Sequence, residues 1–519
     1  MKKFFGVLLS VVMILLLLGG CGGKTNSTEA SGETSATKEQ ADTGAAARKA
    51  NNEIVVGIAQ DLSSSLDPYE LSTAGTRELM FNVYEALYKV APSGDYEPAL
   101  ATAYTVSDDG LTYSFTLREG VKFHNDAVLT AADVVYSFNT CREKSVDKNV
   151  KAALQNVAEV KADGNTVTMT LTAPNSDFLV YVGSVYIVPD SYSDQATKPV
   201  GTGPFVFTER KVQDSIVFTR FENYWGEKAK IQKVTFRIFD TETALVTALD
   251  SDTVDLFAHL TSTQVNGLSK NYEVLEGTMN LVQALYINNA VKPFDDVRVR
   301  QALNYAIDVD AMLQMTADGH GTKLGSSIYP AFTKYFDESL VNAYPHDAAK
   351  AKELLTQAGY PNGFDMTITV PSNYTNHVDT AVVLAEQLKE AGINATVQEV
   401  EWDAWVTDIY QGRNFQTTVV GFDASTLTAE ALLARFVSDS SKNMCNYQNT
   451  EFDALMAEAG SITDDARRTE CYRAAEKLLS DDAANVYLQD MADFVALRST
   501  LSGFRFYPLY VLDLSGLTY

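Results

Sequence analysis

Between Phe364 and Val397 the spacing of apolar residues changes from two to near four and back to two, and few folds accommodate that succession. Phe364, Met366, Ile368 and Val370 alternate as one face of a strand. Ala381, Leu384, Ala385 and Leu388 then fall on one face of a helix, Gly392 stops it, and Ile393, Ala395 and Val397 alternate again. A strand, a helix and a second strand in this order place the strands parallel in one sheet with the helix packed on a face, so this part of the chain is α/β. Further helices are predicted through Val299, Ala302, Leu303, Ala306 and Ile307, with Asp295 or Asp296 as cap and Phe294 as staple, and through Ala351, Leu354, Leu355 and Ala358 before Gly359. The first half reads mainly as strands: Leu111, Tyr113, Phe115 and Leu117 alternate, as do Val167, Met169 and Leu171, Ile216 and Phe218, and Val234, Phe236 and Ile238. Phe504 to Tyr519 is rich in aromatic and aliphatic residues and is predicted to dock as a strand.

The N-terminal end has a different character. Lys2 and Lys3 precede an apolar stretch from Phe4 to Leu18, too short to span a hydrocarbon core of roughly 30 Å, so it reads as an export signal. Leu18-Gly19-Gly20-Cys21 resembles the bacterial lipobox, which implies cleavage after residue 20 and lipidation of Cys21. Gly22 to Asn52 contains no aromatic or branched aliphatic residue. Such a stretch buries too little surface to offset the entropy of ordering, so residues 21–52 are expected to be a flexible tether reaching roughly 30 Å.

Residues 53–519 exceed what one hydrophobic core usually covers, and 46% apolar residues suit a globular body of two or three units. Removing the signal takes away Lys2 and Lys3 and leaves 39 bases against 67 acids, a formal charge of −28, which argues against a nucleic-acid partner. Beyond Cys21 the cysteines are Cys141, Cys445 and Cys471. No CxxC occurs; three buried thiols are expected, with a Cys445 to Cys471 bridge as the alternative.

Over nearly all of residues 53–500 the chain resembles the extracytoplasmic solute-binding proteins of peptide-type ABC importers, family 5. The resemblance rests on ordered motifs: Leu66-Asp67-Pro68, Asn82-x-Tyr84-Glu85-x-Leu87, Pro98-x-Leu100-Ala101, Ser107 to Tyr113 leading into Phe115-x-Leu117-Arg118-x-Gly120-x-Lys122-Phe123-His124, and Leu129-Thr130-Ala131-x-Asp133-Val134. It continues with Gly201-Thr202-Gly203-Pro204-Phe205, Asn223-x-Trp225, Phe294-x-Asp296-x-Arg298-Val299-Arg300-Gln301-Ala302-Leu303 and Ala349-Lys350-x-Lys352-x-Leu354-Leu355. Most of these residue types suit turns and cores, so they read as markers of fold.

The resemblance implies a bilobed periplasmic-binding-protein-like clamp, type II and cluster C-like, with an extra strand-rich subdomain in the first lobe. Its expected parts are a signal peptide over 1–20, a tether over 21–52, a first-lobe core from 53–80, 200–283 and 490–519, an inserted subdomain over 81–199, and a second lobe over 284–489. It implies a monomer without cofactor or metal that takes a short peptide or other small solute and hands it to an ABC permease and its ATPase. Its place is the outer face of the bacterial cell membrane, held by a lipid on Cys21. In peptide-binding members an aspartate in a Trp-x-x-Asp-Tyr-x-Asp-Pro-like segment pairs with the ligand's ammonium. The matching stretch here is Gly421-Phe422-Asp423-Ala424-Ser425-Thr426-Leu427, which lacks the tryptophan and the second Asp-Pro. Asp423 is the candidate amine-binding group, or else a cap or turn for the helix from Thr428 to Phe436. Phe422, Trp402, Trp405 and Tyr447 are candidates for an aromatic wall, with core packing as the alternative for the tryptophans. Thr73 and Gly75 offer a hydroxyl and a free amide on the early loop.

Other chemistries have weaker support. Ser145-Val146-Asp147-Lys148 fits Ser-x-x-Lys, but no Lys-Thr-Gly or Ser-Asp-Asn accompanies it, and no Gly-x-Ser-x-Gly or His-Glu-x-x-His occurs. His124, His259, His320, His346 and His377 are too far apart for a local metal pair, though relatives bind nickel complexes. A peptide-sensing receptor on the same clamp is the remaining alternative.

Overall fold

A computed structural model describes residues 44–239, 241–424, 426–462 and 464–519. The signal segment, Cys21 and most of the expected tether lie outside the described residues. Two mixed sheets organise the rest. The first runs in the order Tyr272–Thr278, Ala492–Arg498, Leu256–Leu260, Glu53–Ile58, Lys233–Ile238, Ser215–Arg220 and Phe205–Lys211. The second runs Thr322–Lys323, Asn485–Asp490, Leu281–Ile287, Thr417–Asp423, Phe364–Pro371 and Ile393–Val400. The stretch expected as an insert, 81–199, carries a two-stranded ribbon and a four-stranded antiparallel sheet whose strands lie between Tyr88 and Leu171.

In the second lobe, Phe364–Pro371 and Ile393–Val400 pair in parallel, with the helix Thr375–Leu388 between them in sequence, as the apolar spacing requires. Alternate residues of Leu281–Ile287 feed two cores: Val282, Ala284 and Tyr286 on one face, Leu285 and Ile287 on the other. Burial on both faces explains why this strand reads as a nearly continuous apolar run. The helix Val297–Ala306 starts where Asp296 accepts the Arg298 N–H at 2.9 Å.

The chain crosses between sheets at residues 279–280 and again at Met491. Residues 281–283 and Asp490 therefore belong to the second sheet, which shifts the expected boundaries at 283 and 489 to the neighbouring turns. The crossings are bonded to each other: Met279 N–H donates to Met491 O at 2.8 Å, and Asp490 Oδ1 accepts the Leu281 N–H at 3.1 Å.

Several recurring motifs meet at one buried carboxylate. Glu85 accepts from Thr202 Oγ1 at 2.9 Å, Tyr224 OH at 2.7 Å and Trp225 Nε1 at 2.7 Å, which gathers Asn82-x-Tyr84-Glu85, Gly201-Thr202-Gly203 and Asn223-x-Trp225 into one cluster. A buried charge needs such donors. The neighbouring Asn82 holds the C-terminal segment, donating to Leu512 O at 2.7 Å and accepting the Leu514 N–H at 2.9 Å. That segment is docked but is not a strand: its ladder contact among the described residues is the Ser502–Thr518 bridge, and Asn82 takes the Leu512 carbonyl and the Leu514 amide.

The tether expectation needs correcting at its end. Residues 44–50 form a helix, and Arg48 donates to the fully buried Asp255 at 2.6 and 2.9 Å. Asp255 also accepts from Arg498 Nε at 2.5 Å and from the Val55 N–H. A buried carboxylate supplies the attraction that the tether's own composition lacks.

Gly201 has no room for a side chain: an added Cβ lies 2.1 Å from Val83 O. Gly201→Ala is expected to lower stability by about 1–3 kcal/mol through displacement of the Glu85 cluster, read as a lower urea midpoint with unchanged m-value.

Candidate binding site

Between the lobes lies a cavity with about 1430 Å³ of atom-free space, open solvent included. The first lobe builds most of its wall: Pro68 and Tyr69 of the Asp-Pro loop, Arg77 on the helix Ala74–Met80, and Tyr507 to Ser515 of the C-terminal segment. The insert adds Tyr88 and Lys89 from the strand Tyr88–Val90, and Asp147 and Tyr186. The second lobe contributes Asp423 and Ala424, at the end of the strand Thr417–Asp423 opposite Leu281. Among the described residues the insert meets the second lobe through Arg468 with Asp177 at 3.6 Å and through Lys442 Nζ, which donates to Asn149 Oδ1 at 2.9 Å.

The wall carries eight tyrosines, so it offers broad apolar faces with polar tips. Four hydroxyls are committed: Tyr69 donates to Tyr186 O, Tyr84 to Leu66 O, Tyr224 to Glu85 and Tyr507 to Asp513. Among the charged groups, Glu85 is held as described, Asp147 caps the helix Lys148–Gln155, and Asp513 accepts from Arg505, Tyr507 and the Ser515 N–H. Burial raises the Glu85 carboxyl above its ordinary range, while the Trp225 and Tyr224 donors pull it down. Arg77, Lys89 and Asp423 have no ion-pair partner among the described residues; Arg77 donates only to the Leu71 and Ser72 carbonyls, each at 3.3 Å.

Tyr510 connects this wall to the crossing strands. Its ring stacks on His259, with centroids 4.3 Å apart and planes at 13°. His259 Nε2 lies 2.8 Å from Glu78 Oε1, on the same helix as Arg77, and Nδ1 lies 3.1 Å from Asp493, just past the second crossing. Burial opposes the charged imidazole, but the two carboxylates outweigh it and lift His259 to about 10.

Of the sequence-predicted residues, Asp423 faces the cavity, exposed and uncommitted, and the helix Ala429–Leu433 is capped instead by Thr428, which accepts the Ala431 N–H. Phe422 points to the other face of its strand, packed edge-on to Tyr286 at 5.1 Å with the Arg435 guanidinium 4.2 Å over its ring. Trp405 is 2% exposed, its Nε1 donating to Thr418 Oγ1 at 3.0 Å, and belongs to the core. Trp402 is 38% exposed and stacks on Trp405 at 5.3 Å, away from the cavity wall. Tyr447 is buried and donates to Asp482 Oδ2 at 2.6 Å, so it too is a core residue. Thr73 caps the helix Ala74–Met80, and Gly75 is exposed on that helix; neither lines the cavity.

Sequence reasoning missed Arg77, Lys89 and the tyrosines of the C-terminal segment. The aromatic density after Phe504 was the available signal for the last of these; a lone base on a short helix offers none. Cys141, Cys445 and Cys471 are free and buried, and Ser145 and Asp147 of the Ser-x-x-Lys pattern form a turn that starts a helix. Among the described residues no group of three His, Cys, Asp or Glu side chains is placed to hold a metal.

Residues 95–444 match the family described as bacterial extracellular solute-binding proteins, family 5. Heme-binding protein A of Haemophilus influenzae is 29% identical over 457 residues, 79% of this chain and 82% of that protein. The ABC transporter substrate-binding protein CtaP of Listeria monocytogenes superposes with a TM-score of 0.81 at 26% identity, covering 90% of this chain and 98% of its own. DppA of Helicobacter pylori, solved in complex with the peptide STSA, superposes with a TM-score of 0.72 at 27% identity over 90% and 97% of the two chains.

Because the folded state binds the His259 proton more tightly, the stabilisation is fully present below about pH 6.5 and is lost as pH rises through about 10. His259→Asn is expected to cost about 2 kcal/mol at pH 6 and much less at pH 10, so the stability difference between variant and wild type should narrow with rising pH in urea titrations.

Proposed function

Because the chain belongs to the bacterial extracellular solute-binding proteins of family 5, a family of transport receptors rather than enzymes, we propose that it captures short peptides or peptide-like amines and delivers them to the permease of an ABC importer. The observation that carries this reading is Asp423: a carboxylate with no partner among the described residues, presented by one lobe to a tyrosine-lined cavity built mainly by the other. A cargo ammonium paired with Asp423 gains contacts to both lobes only when they close around it. Such a difference between open and closed contacts is what lets a ligand drive closure. The peptide bound to the Helicobacter pylori relative supports this cargo class. The pattern Leu18-Gly19-Gly20-Cys21 supports anchoring through a lipid on Cys21.

Asp423→Asn should weaken binding of free-amine peptides by about 1.5–3 kcal/mol, measured by calorimetry, with N-acetylated peptides bound equally by variant and wild type. Equal wild-type affinity for acetylated and free peptides rejects the amine assignment. Cys21→Ser should move the protein from the membrane pellet to the soluble fraction of the producing cells; persistence in the pellet rejects the anchor.

A further inference from the structure

We propose that the cavity also reads a negative charge on its cargo, and that Arg77 with the Tyr186 hydroxyl is the anion subsite. This rests on the peptide reading above and specifies it: the cargo carries an ammonium toward the second lobe and a carboxylate, terminal or side-chain, toward the first.

Bases are the minority in this chain, 41 against 67 acids, and its overall field repels anions. Arg77 is an exception within the cavity. It lies on the wall of the first lobe, bonded only to two backbone carbonyls at 3.3 Å, with no carboxylate at ion-pair distance among the described residues. Its helix neighbour Glu78, the nearest acid in sequence, is committed to His259 at 2.8 Å. Lys89, the other unpaired base on this wall, lies close enough to the buried Glu85 for their charges to interact, so part of its field is already answered. Tyr186 lines the same cavity within reach of the Arg77 charge. Its ring is oriented by stacking on Tyr84 at 5.6 Å, and its hydroxyl has no hydrogen-bond partner among the described residues. A guanidinium and a phenol hydroxyl together supply the donors that a carboxylate accepts.

Closing the lobes takes water from both unpaired ends of the cavity. A guanidinium and a carboxylate shut in without partners are each costly, so empty closure is opposed from both sides. A zwitterion of sufficient length answers both charges at once. The cavity thus favours cargo bearing both signs over a simple amine or a simple anion.

The test uses native mass spectrometry of the full-length protein after incubation with a tryptic casein digest, either untreated or methyl-esterified so that every carboxylate is neutral. Wild type should retain the untreated pool at least tenfold more than the esterified one, and Arg77→Gln should reduce retention of the untreated pool about ten- to a hundredfold, to the level of the esterified pool. Tyr186→Phe should weaken retention of the untreated pool alone, and stands in should Arg77→Gln fail to fold. Equal wild-type retention of both pools overturns the anion subsite and leaves the peptide reading intact. Discrimination that survives in Arg77→Gln, or disappears in Lys89→Gln instead, overturns the assignment to Arg77. Retention of neither pool overturns the peptide reading and this inference with it.

Discussion

The two passages of chain between the lobes are hydrogen-bonded to each other, and the clamp depends on that pairing. Met279 and Met491 share a backbone bond, and Asp490 holds the first amide of the strand that begins at Leu281. Two passages joined in this way are held side by side where the chain leaves one sheet for the other. Asp490 is fully buried, its second oxygen has no partner among the described residues, and burial raises its carboxyl to about 7. The group that ties the crossings together is therefore also one whose ionisation is costly in the folded state. The wall of the cavity is tied to the same place, since Tyr510 rests on His259 and His259 bridges Glu78 to Asp493, two residues past the second crossing.

The parts of the fold legible in the sequence were those set by local periodicity. The strand, helix and strand from Phe364 to Val400 follow from residue spacing alone, and so does the alternation of Tyr113, Phe115 and Leu117. What spacing does not encode is which distant groups meet. Glu85, Thr202 and Trp225 are far apart in sequence, and only the fold makes them one cluster. The helix at residues 44–50 is not legible because its composition predicts no packing; its attachment runs through Arg48, which reaches Asp255 and the Asp252 carbonyl more than two hundred residues away, and Lys49 over the Tyr519 ring. Trp405 and Tyr447 show the converse problem. An aromatic with a polar tip suits a ligand wall and a core equally, and here Thr418 and Asp482 satisfy those tips inside the second lobe.

Asp423 is legible in the sequence and Arg77 only in the fold, and the difference has a physical basis. Asp423 ends a buried strand, where a carboxylate is unusual and draws notice. Arg77 lies on a seven-residue helix where a base is unremarkable until the cavity shows that nothing answers it. The meaning of a charge depends on its unsatisfied partners, and sequence does not list them.

The ion pair between Arg48 and Asp255 fixes how force enters this molecule. A pull on the N-terminal end is taken up at Asp255, which Arg498 and the Val55 amide brace from within the first sheet, before it reaches the strand Glu53–Ile58. Strain applied from that end therefore reaches the first lobe before the second.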